Sequence, residues 1–598
     1  MALGALLPEL DQSDPDWTPL VTAISRHAET KPAAPAYTFV DYSGNPAGTR
    51  TTLNWAQMDA RSKAMAARLR RSARPGERVA LLLPQGLDYL VTMCGAMLAR
   101  VIAVPLFSPD LAGHGERLIR VYADADPAVV VTSRSALSHV EKFFGDQDVP
   151  RPREIVIADD LDLAPGETWH DEPAAAGDVA YLQYTSGSTR TPAGVEVTHG
   201  NLDANARQVL AGWTPDHPHP KMVSWLPLFH DMGLVNILAL TMVDGHECIL
   251  MDPLSFLMNP LRWLRLISEC EAAYTSAPNF AYEYAAAQAT PAKLADIDLS
   301  GLVNCLNGAE PIRTSTLEVF SAAFTPVGLR PGAPTPGYGL AEATVFVSAA
   351  ADDVPPTVVW ADREELARGA LRIREPGGAG VTGLVGCGRP IGQHVAIVDP
   401  DTGVERPDGM VGEVWIHGPN VAAGYWRNPE RTASTFGGVL TDPAGGLPAG
   451  PWLRTGDYGL AHEGELYITG RIKDLVIVDG RNHYPQDIEE TVYEAHPAIR
   501  QDHVAAFAVV EEDAERLVVV AERNRRVPLA RLDLGEVERA VRGAVNVAHE
   551  LAVHEFALVE PGMISRTSSG KIARAATRER HLAGALARTA DRLAARTT

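Results

Sequence analysis

Tyr184–Gly194 reads Y-T-S-G-S-T-R-T-P-A-G and follows the strand-like run V-A-Y-L-Q at Val179–Gln183. Gly187 lets the backbone turn. The hydroxyls of Thr185, Ser186, Ser188 and Thr189, with the amides between them, form a donor-rich concavity suited to phosphate oxygens, and Arg190 adds a cation. The same composition also builds ordinary surface loops. The segment lacks the G-x-x-x-x-G-K of a Walker loop, so it marks a phosphate-loop candidate without indicating a P-loop fold. Cys94, Cys248, Cys270, Cys305 and Cys387 lie far apart with no C-x-x-C pair. They point neither to a zinc site nor to a disulfide framework and suit a reducing compartment.

The elements that must position such a loop are clearest early in the chain. Arg78–Leu83 reads as a buried strand, Leu87–Arg100 as a helix, and Ile102–Pro105 and Val129–Thr132 as further strands. Together they predict βαβ units in a parallel sheet, whose ligands gather at the carboxyl ends of the strands. After about residue 395 shorter strand-like pieces with turn dipeptides predict a small antiparallel or barrel-like subdomain. Beyond Arg471, strands at Leu475–Val478, Val504–Val510 and Leu517–Ala521 mix with helices at Pro485–Ala495 and Leu534–Val545 as a compact α+β module. The expected fold class is α/β: a large N-terminal region with parallel sheets and a small barrel-like subdomain, then a small mobile α+β C-terminal domain. The expected divisions are 1–470, with the β subdomain over about 390–470, a tight hinge at 471–474, and 475–598.

The 598 residues contain 75 Asp+Glu against 53 Lys+Arg, a net charge of −22. That charge repels phosphate backbones and anionic lipid, so no nucleic-acid partner is expected. Apolar residues at 46% and charged residues at 21% exclude a disordered or fibrous chain. The first residues carry no cation ahead of a very short apolar stretch, and no run of about 18 apolar residues occurs. The expectation is a soluble cytoplasmic protein with no stable membrane insertion.

Companions of the Tyr184 loop follow in order: S-W-L-P-L-F-H-D-M-G-L at Ser224–Leu234, L-N-G-A-E-P at Leu306–Pro311 and G-Y-G-L-A-E-A-T at Gly337–Thr344. Then come W-L-R-T-G-D at Trp452–Asp457, G-R-I-K-D at Gly470–Asp474 and R-T-S-S-G-K at Arg566–Lys571. In this set and order the chain resembles the adenylate-forming superfamily of acyl-CoA synthetases, luciferases and peptide-synthetase adenylation domains. The resemblance implies a site joining a carboxylate to the α-phosphate of ATP with release of pyrophosphate, using ATP and Mg²⁺. It makes Glu342 the Mg²⁺ ligand, and Gly339, Leu340 and Ala341 part of the nucleotide wall. Tyr338 would stack on adenine, with Gly308, Ala309 and Glu310 giving close backbone approach to the purine. Asp457 would accept from the ribose hydroxyls and Arg471 donate to the same sugar. His230 would lie near the α-phosphate and the acyl carboxylate as a donor and gate, not a general base, because a carboxylate nucleophile has no proton to lose. Lys571 would neutralise carboxylate and phosphate oxygens together. Lys473 would be the hinge.

Departures narrow the resemblance. Arg190 stands where most relatives have Gly and Ala193 where they have Lys, which puts that lysine's phosphate contact in doubt. With V-D-G-R-N-H-Y-P-Q-D-I-E at Val478–Glu489, the chain looks like the fatty acyl-AMP ligases of actinobacteria, the long-chain ligases of mycolic-acid and polyketide lipid synthesis. A segment of about 350–385 looks like that family's insertion, which in relatives hinders the rotation that admits coenzyme A. The resemblance thus implies a medium- or long-chain fatty acid substrate and transfer to an acyl carrier protein domain of a polyketide or peptide synthase. The acyl pocket is expected along Leu234–Met242 and Tyr274–Tyr282, with Leu234, Ile237, Ala277 and Phe280 on its wall. The alternatives are a fatty acyl-CoA synthetase and a non-catalytic nucleotide-binding homologue, the latter opposed by intact Lys571, Glu342 and Asp457. Arg588, Arg592 and Arg596, spaced by four near the C-terminus, are either a docking patch for an acidic carrier or a solvated helix face.

Overall fold

The computed structural model describes residues 17–111, 115–170, 172–184, 193–212, 220–351, 354–378, 380–443, 446–478, 481–511, 514–567 and 571–597. Short runs of Val, Ala and Leu early in the chain form a six-stranded sheet. Its spatial order is Glu154–Ile157, Val129–Thr132, Arg78–Leu81, Ile102–Pro105, Val179–Tyr184 and Gly194–Thr198. The first five strands run parallel and the last is antiparallel. Alternation along each strand feeds two cores. Val79, Leu81, Val129 and Val131 enter one, while Ala80, Leu82 and Val130 enter the other. Both faces are covered, which is why these strands read as continuous apolar runs. The helix from Leu87 ends at Leu98, short of the expected Arg100, because Arg100 turns into the left-handed region at φ 57°.

A nine-stranded sheet follows, with Pro334–Tyr338, Leu302–Asn307, Ala273–Ala277, Lys221–Ser224 and Cys248–Leu250 parallel at its centre. The strands ending at Tyr338, Asn307 and Ser224 deliver three of the motif segments from their carboxyl ends. The small β subdomain is a four-stranded antiparallel sheet, His394–Val398, Gly412–His417, Leu453–His462 and Glu465–Arg471. Within about 350–385, Val358–Asp362 pairs with Val381–Val385, and a short helix, Arg363–Ala367, lies between them.

Beyond the turn Ile472–Asp474 the chain builds a separate core. Strands Ile499–Glu511, Ala514–Arg523 and Val553–Val559 form one sheet, and helices Pro485–Ala495 and Leu534–His549 pack Ile488, Val492, Val537, Val541 and Val545 against it. Two of the C-terminal arginines make surface ion pairs: Arg588 pairs with Glu555 at 2.5 Å, and Arg592 pairs with Glu560, both guanidinium side chains staying about half exposed. Among the described residues no helix is long and apolar enough to cross a membrane.

Candidate active site

A cavity of about 670 Å³ opens where the ends of both large sheets meet the four-stranded sheet. Strand Pro334–Tyr338 carries Tyr338 onto its wall, and the next residue must be glycine, since a Cβ on Gly339 would lie 1.6 Å from the Val345 carbonyl oxygen. The chain then forms the short turn Ala341–Ala343, which presents Glu342. Leu340 and Ala341 also line the cavity. The Tyr425 hydroxyl donates to Glu342 Oε1 at 2.7 Å, fixing the carboxylate's orientation. Thr344, a β-branched residue at φ 67°, is held in that unfavourable conformation by donation of its hydroxyl to the Asn420 carbonyl at 2.8 Å.

Gly308 and Ala309 line the same cavity, and Ala309 takes a left-handed φ of 72°. Glu310 departs from its expected place beside a purine. It is off this wall, in the crevice between the large and small regions, where its charge acts on Lys571. The left-handed Ala309 turns the chain away from the cavity before Glu310 is reached.

Asp457 joins two of its neighbours. The Tyr338 hydroxyl donates to Oδ2 at 2.7 Å, and Arg471 Nε lies 3.1 Å from Oδ1. The carboxylate is nearly buried at 5% exposure, and it holds Arg471 above its ordinary pKa. Its remaining lone pairs suit sugar hydroxyls. Lys473 follows on the same wall, its ammonium pulled down by burial and by Arg471.

His230 precedes the helix starting at Asp231, with Nδ1 2.7 Å from Asp231 Oδ1. Burial pushes the Asp231 carboxyl up, but His230 and Lys571 outweigh it and hold it below the usual value. Lys571 comes from the far end of the chain to this wall. Burial lowers its ammonium, Glu310 opposes, Arg471 adds to the lowering, and Asp231 and Asp457 oppose again. The expected phosphate-loop residues Thr185, Ser186, Gly187, Ser188, Thr189 and Arg190 lie outside the described residues. The strand that leads into them ends at Tyr184, whose carbonyl accepts from Arg117 Nη2 at 3.3 Å. Arg117 lines the cavity, and burial lowers its guanidinium to about 10.

A second cavity, of about 900 Å³, shares His230, Met232, Ala309 and Lys571 with the first. Its wall is largely apolar, from Trp225, Leu257, Phe280, Tyr284 and Val319, and Trp225 stacks on Phe256 at a centroid distance of 3.9 Å. Of the expected acyl-pocket residues only Phe280 lines it. Leu234 and Ile237 pack into the core beneath the helical segment after Asp231, and Ala277 lies in the core against the nine-stranded sheet.

Sequence reasoning missed Arg117, Tyr425 and Met232. Arg117 looks like an ordinary cation of an amphipathic helix, and Tyr425 lies far from any quoted motif. Met232 stood inside a quoted motif as filler.

The arrangement fits a polyanionic nucleotide held with a metal cation: Arg117, Arg431, Arg454, Arg471, Lys473 and Lys571 line one cavity with Asp231, Glu342, Asp401, Glu413 and Asp457. Comparison agrees. Residues 24–426 match the AMP-binding enzyme family, and residues 473–591 match the AMP domain of Disco-interacting protein 2-like proteins. The long-chain-fatty-acid–AMP ligase FadD26 of Mycobacterium marinum is 42% identical, over 96% of this chain and 98% of its own. The putative fatty-acid–CoA ligase fadD25 of Mycobacterium tuberculosis is also 42% identical, over 92% of this chain and 95% of its own. The solved fatty acyl-adenylate ligase of L. pneumophila, in complex with acyl adenylate and pyrophosphate, superposes with a TM-score of 0.72 at 33% identity, covering 96% of this chain and 98% of that one. The chain belongs to the AMP-binding enzyme family, in its fatty acyl-AMP ligase branch.

Proposed function

We propose that this protein condenses a medium- or long-chain fatty acid with ATP to give acyl-adenylate and pyrophosphate, then passes the acyl group to the phosphopantetheine thiol of a carrier protein. One observation carries the reading: Lys571 stands on the wall common to a charged cavity and an apolar one. A nucleotide in the first and an acyl chain in the second bring carboxylate and α-phosphate together beside that ammonium. A carboxylate oxygen bonds to the α-phosphorus, the bond to the β-phosphate's bridging oxygen breaks, and pyrophosphate leaves with its electron pair. No proton moves. The chain's task is to screen converging negative charge, by Lys571 at the reacting oxygens and His230 as a donor. Asp457 and Arg471 hold the sugar, while Tyr338 and Gly308 flank the base.

Among the described residues no cluster of three or more Asp, Glu, His or Cys could cage a metal. A single carboxylate, Glu342, shared with substrate phosphates and water, is how Mg²⁺ is commonly held. Mg²⁺ bound there supplies further neutralisation of phosphate charge.

The domain division at 471–474 is part of this reading, with the region beyond it turning between adenylation and transfer. The insertion supports a carrier over coenzyme A. Its Arg363 donates to the Ala548 carbonyl at 3.0 Å, its Glu364 lies 3.7 Å from Arg481, and Ala361, Leu366 and Leu384 share a core with Tyr484. These contacts bias the two regions toward the docked arrangement, so that turning requires the added binding energy of a docked carrier. The CoA-ligase name of one relative keeps that acceptor as the second reading. Fatty-acid-dependent ATP–pyrophosphate exchange tests the first half-reaction: it should rise with added fatty acid, and an exchange rate indifferent to fatty acid would overturn the proposal.

A further inference from the structure

Lys571 belongs to the region beyond Lys473, so its place in the site depends on what fixes that region against the large one. The chain crosses between them through Ile472–Asp474. Beside the insertion's strand Val381–Val385, which packs against Thr314, a partly buried ionic cluster joins three elements. Helix Asn279–Gln288 supplies Glu283, the residue before helix Thr314–Phe324 is Arg313, and strand Ile499–Glu511 supplies Asp502. Arg313 Nη2 lies 3.1 Å from Glu283 Oε1, and its Nη1 pairs with Asp502 Oδ1 at 2.5 Å. The side chains are 14%, 22% and 24% exposed for Glu283, Arg313 and Asp502, so water screens the pairs weakly. Thr316 also donates its hydroxyl to Glu283.

The cluster continues to Lys571. Asp502 sits at a left-handed φ of 56°, and its carbonyl accepts from the Arg566 guanidinium. Arg566 bridges to Ile572, and Thr567 N donates to the Lys571 carbonyl at 2.8 Å, closing a hairpin that has Lys571 at its far arm. A line of contacts therefore runs from Arg313 through Asp502 and Arg566 to the hairpin.

We propose that Arg313 is a positioning residue, whose pairing with Asp502 holds the Lys571 hairpin against the wall shared by the two cavities. What Lys571 does there rests on the adenylate-forming reading; where it is held does not. The guanidinium fork spans Glu283 and Asp502 at once, which a lysine ammonium cannot reproduce. Burial raises the Glu283 carboxyl against the pull of Arg313, so Asp502 is the carboxylate that carries the pair, and its loss removes the ionic contact from Arg313 into the small region and favours separation.

Asp502→Asn and Arg313→Lys test this. Asn tolerates the left-handed backbone, so the first variant removes charge with little new strain. Three readouts are taken on the full chain: fatty-acid-dependent ATP–pyrophosphate exchange, the melting midpoint, and the rate of trypsin cleavage after Arg471 or Lys473, whose backbone is held in the strand end Glu465–Arg471 and the turn Ile472–Asp474 while the regions are docked. D502N should lower exchange kcat at least about tenfold, a loss of about 1.4 kcal/mol in transition-state stabilisation. It should leave the ATP KM within about threefold and speed hinge cleavage about tenfold, with the melting midpoint nearly unchanged. R313K should move both rates the same way. Exchange within about twofold of wild type, or lowered exchange with unchanged hinge cleavage, overturns the proposal. If D502N does not fold, R313K decides by the same criteria. A wild type with no exchange removes the adenylation reading, and hinge cleavage still decides the positioning claim.

Discussion

Lys571 and Asp457 line one cavity but face different parts of the proposed nucleotide, so their loss should show in different kinetic constants. Lys571→Ala removes charge screening needed most in the transition state, so exchange kcat should fall by about 100-fold or more with the fold retained. A variant within about threefold of wild type, under ~1 kcal/mol, would remove that role. Asp457→Ala should chiefly raise the KM for ATP, because the sugar contact is made in the ground state as well; unchanged ATP dependence would take Asp457 out of the nucleotide site. Both residues were legible because each stands in a motif whose neighbours fix the backbone around it. Arg117 and Tyr425 were not. Each reaches the cavity across a tertiary contact, Arg117 beside Tyr184 and Tyr425 onto Glu342, and no local pattern announces such a meeting.

At the scale of elements, short apolar runs bounded by turn residues were readable because burial on both faces imposes a simple pattern, as at Ile102–Pro105 and Val129–Thr132. The acyl wall was less so. Leu234, Ile237 and Ala277 are as apolar as Trp225 and Tyr284, and only packing decides which of them faces a cavity and which a core. The insertion yields a prediction at this scale. Arg363→Ala, which gives up the bond to Ala548, should increase thioester formation with coenzyme A while adenylation persists, and deletion of most of 355–380 should do so more strongly. A population shift of ~1.4 kcal/mol changes the ratio of two domain states tenfold, so the effect is measurable. Variants that adenylate normally yet still ignore coenzyme A would shift the cause from the insertion to the acceptor's own binding site.

Helix Leu534–His549 yields a second prediction at this scale. His549 is buried against helix Pro485–Ala495, its Nε2 2.8 Å from the Thr491 hydroxyl, and burial lowers its pKa from 6.5 to about 3. Between those values the unfolded chain binds a proton that the folded chain does not, so this group's contribution to stability falls as pH drops below 6.5. Each pH unit below 6.5 costs about 1.4 kcal/mol until the folded value is approached. His549→Gln removes that linkage, so its stability should fall less than wild type's between pH 7 and 4. Parallel losses in denaturant titrations would show that His549 is not buried as a neutral ring.

In the molecule as a whole, two cavities meet across a wall completed by a residue from the chain's far end. Net charge argued against a nucleic-acid partner, cysteine spacing argued against a disulfide scaffold, and motif order pointed to the reaction. They could not show that Lys571 depends on Arg313 and Asp502, because those residues meet only when the two regions dock. The most direct test of the central claim is mass spectrometry of products from fatty acids of graded length, with coenzyme A or a holo carrier protein as acceptor. The account predicts acyl-AMP formed in step with pyrophosphate, acyl thioester on the carrier, and little acyl-CoA. Conversion of fatty acid to acyl-CoA by the wild-type enzyme at a rate matching its pyrophosphate release would contradict it.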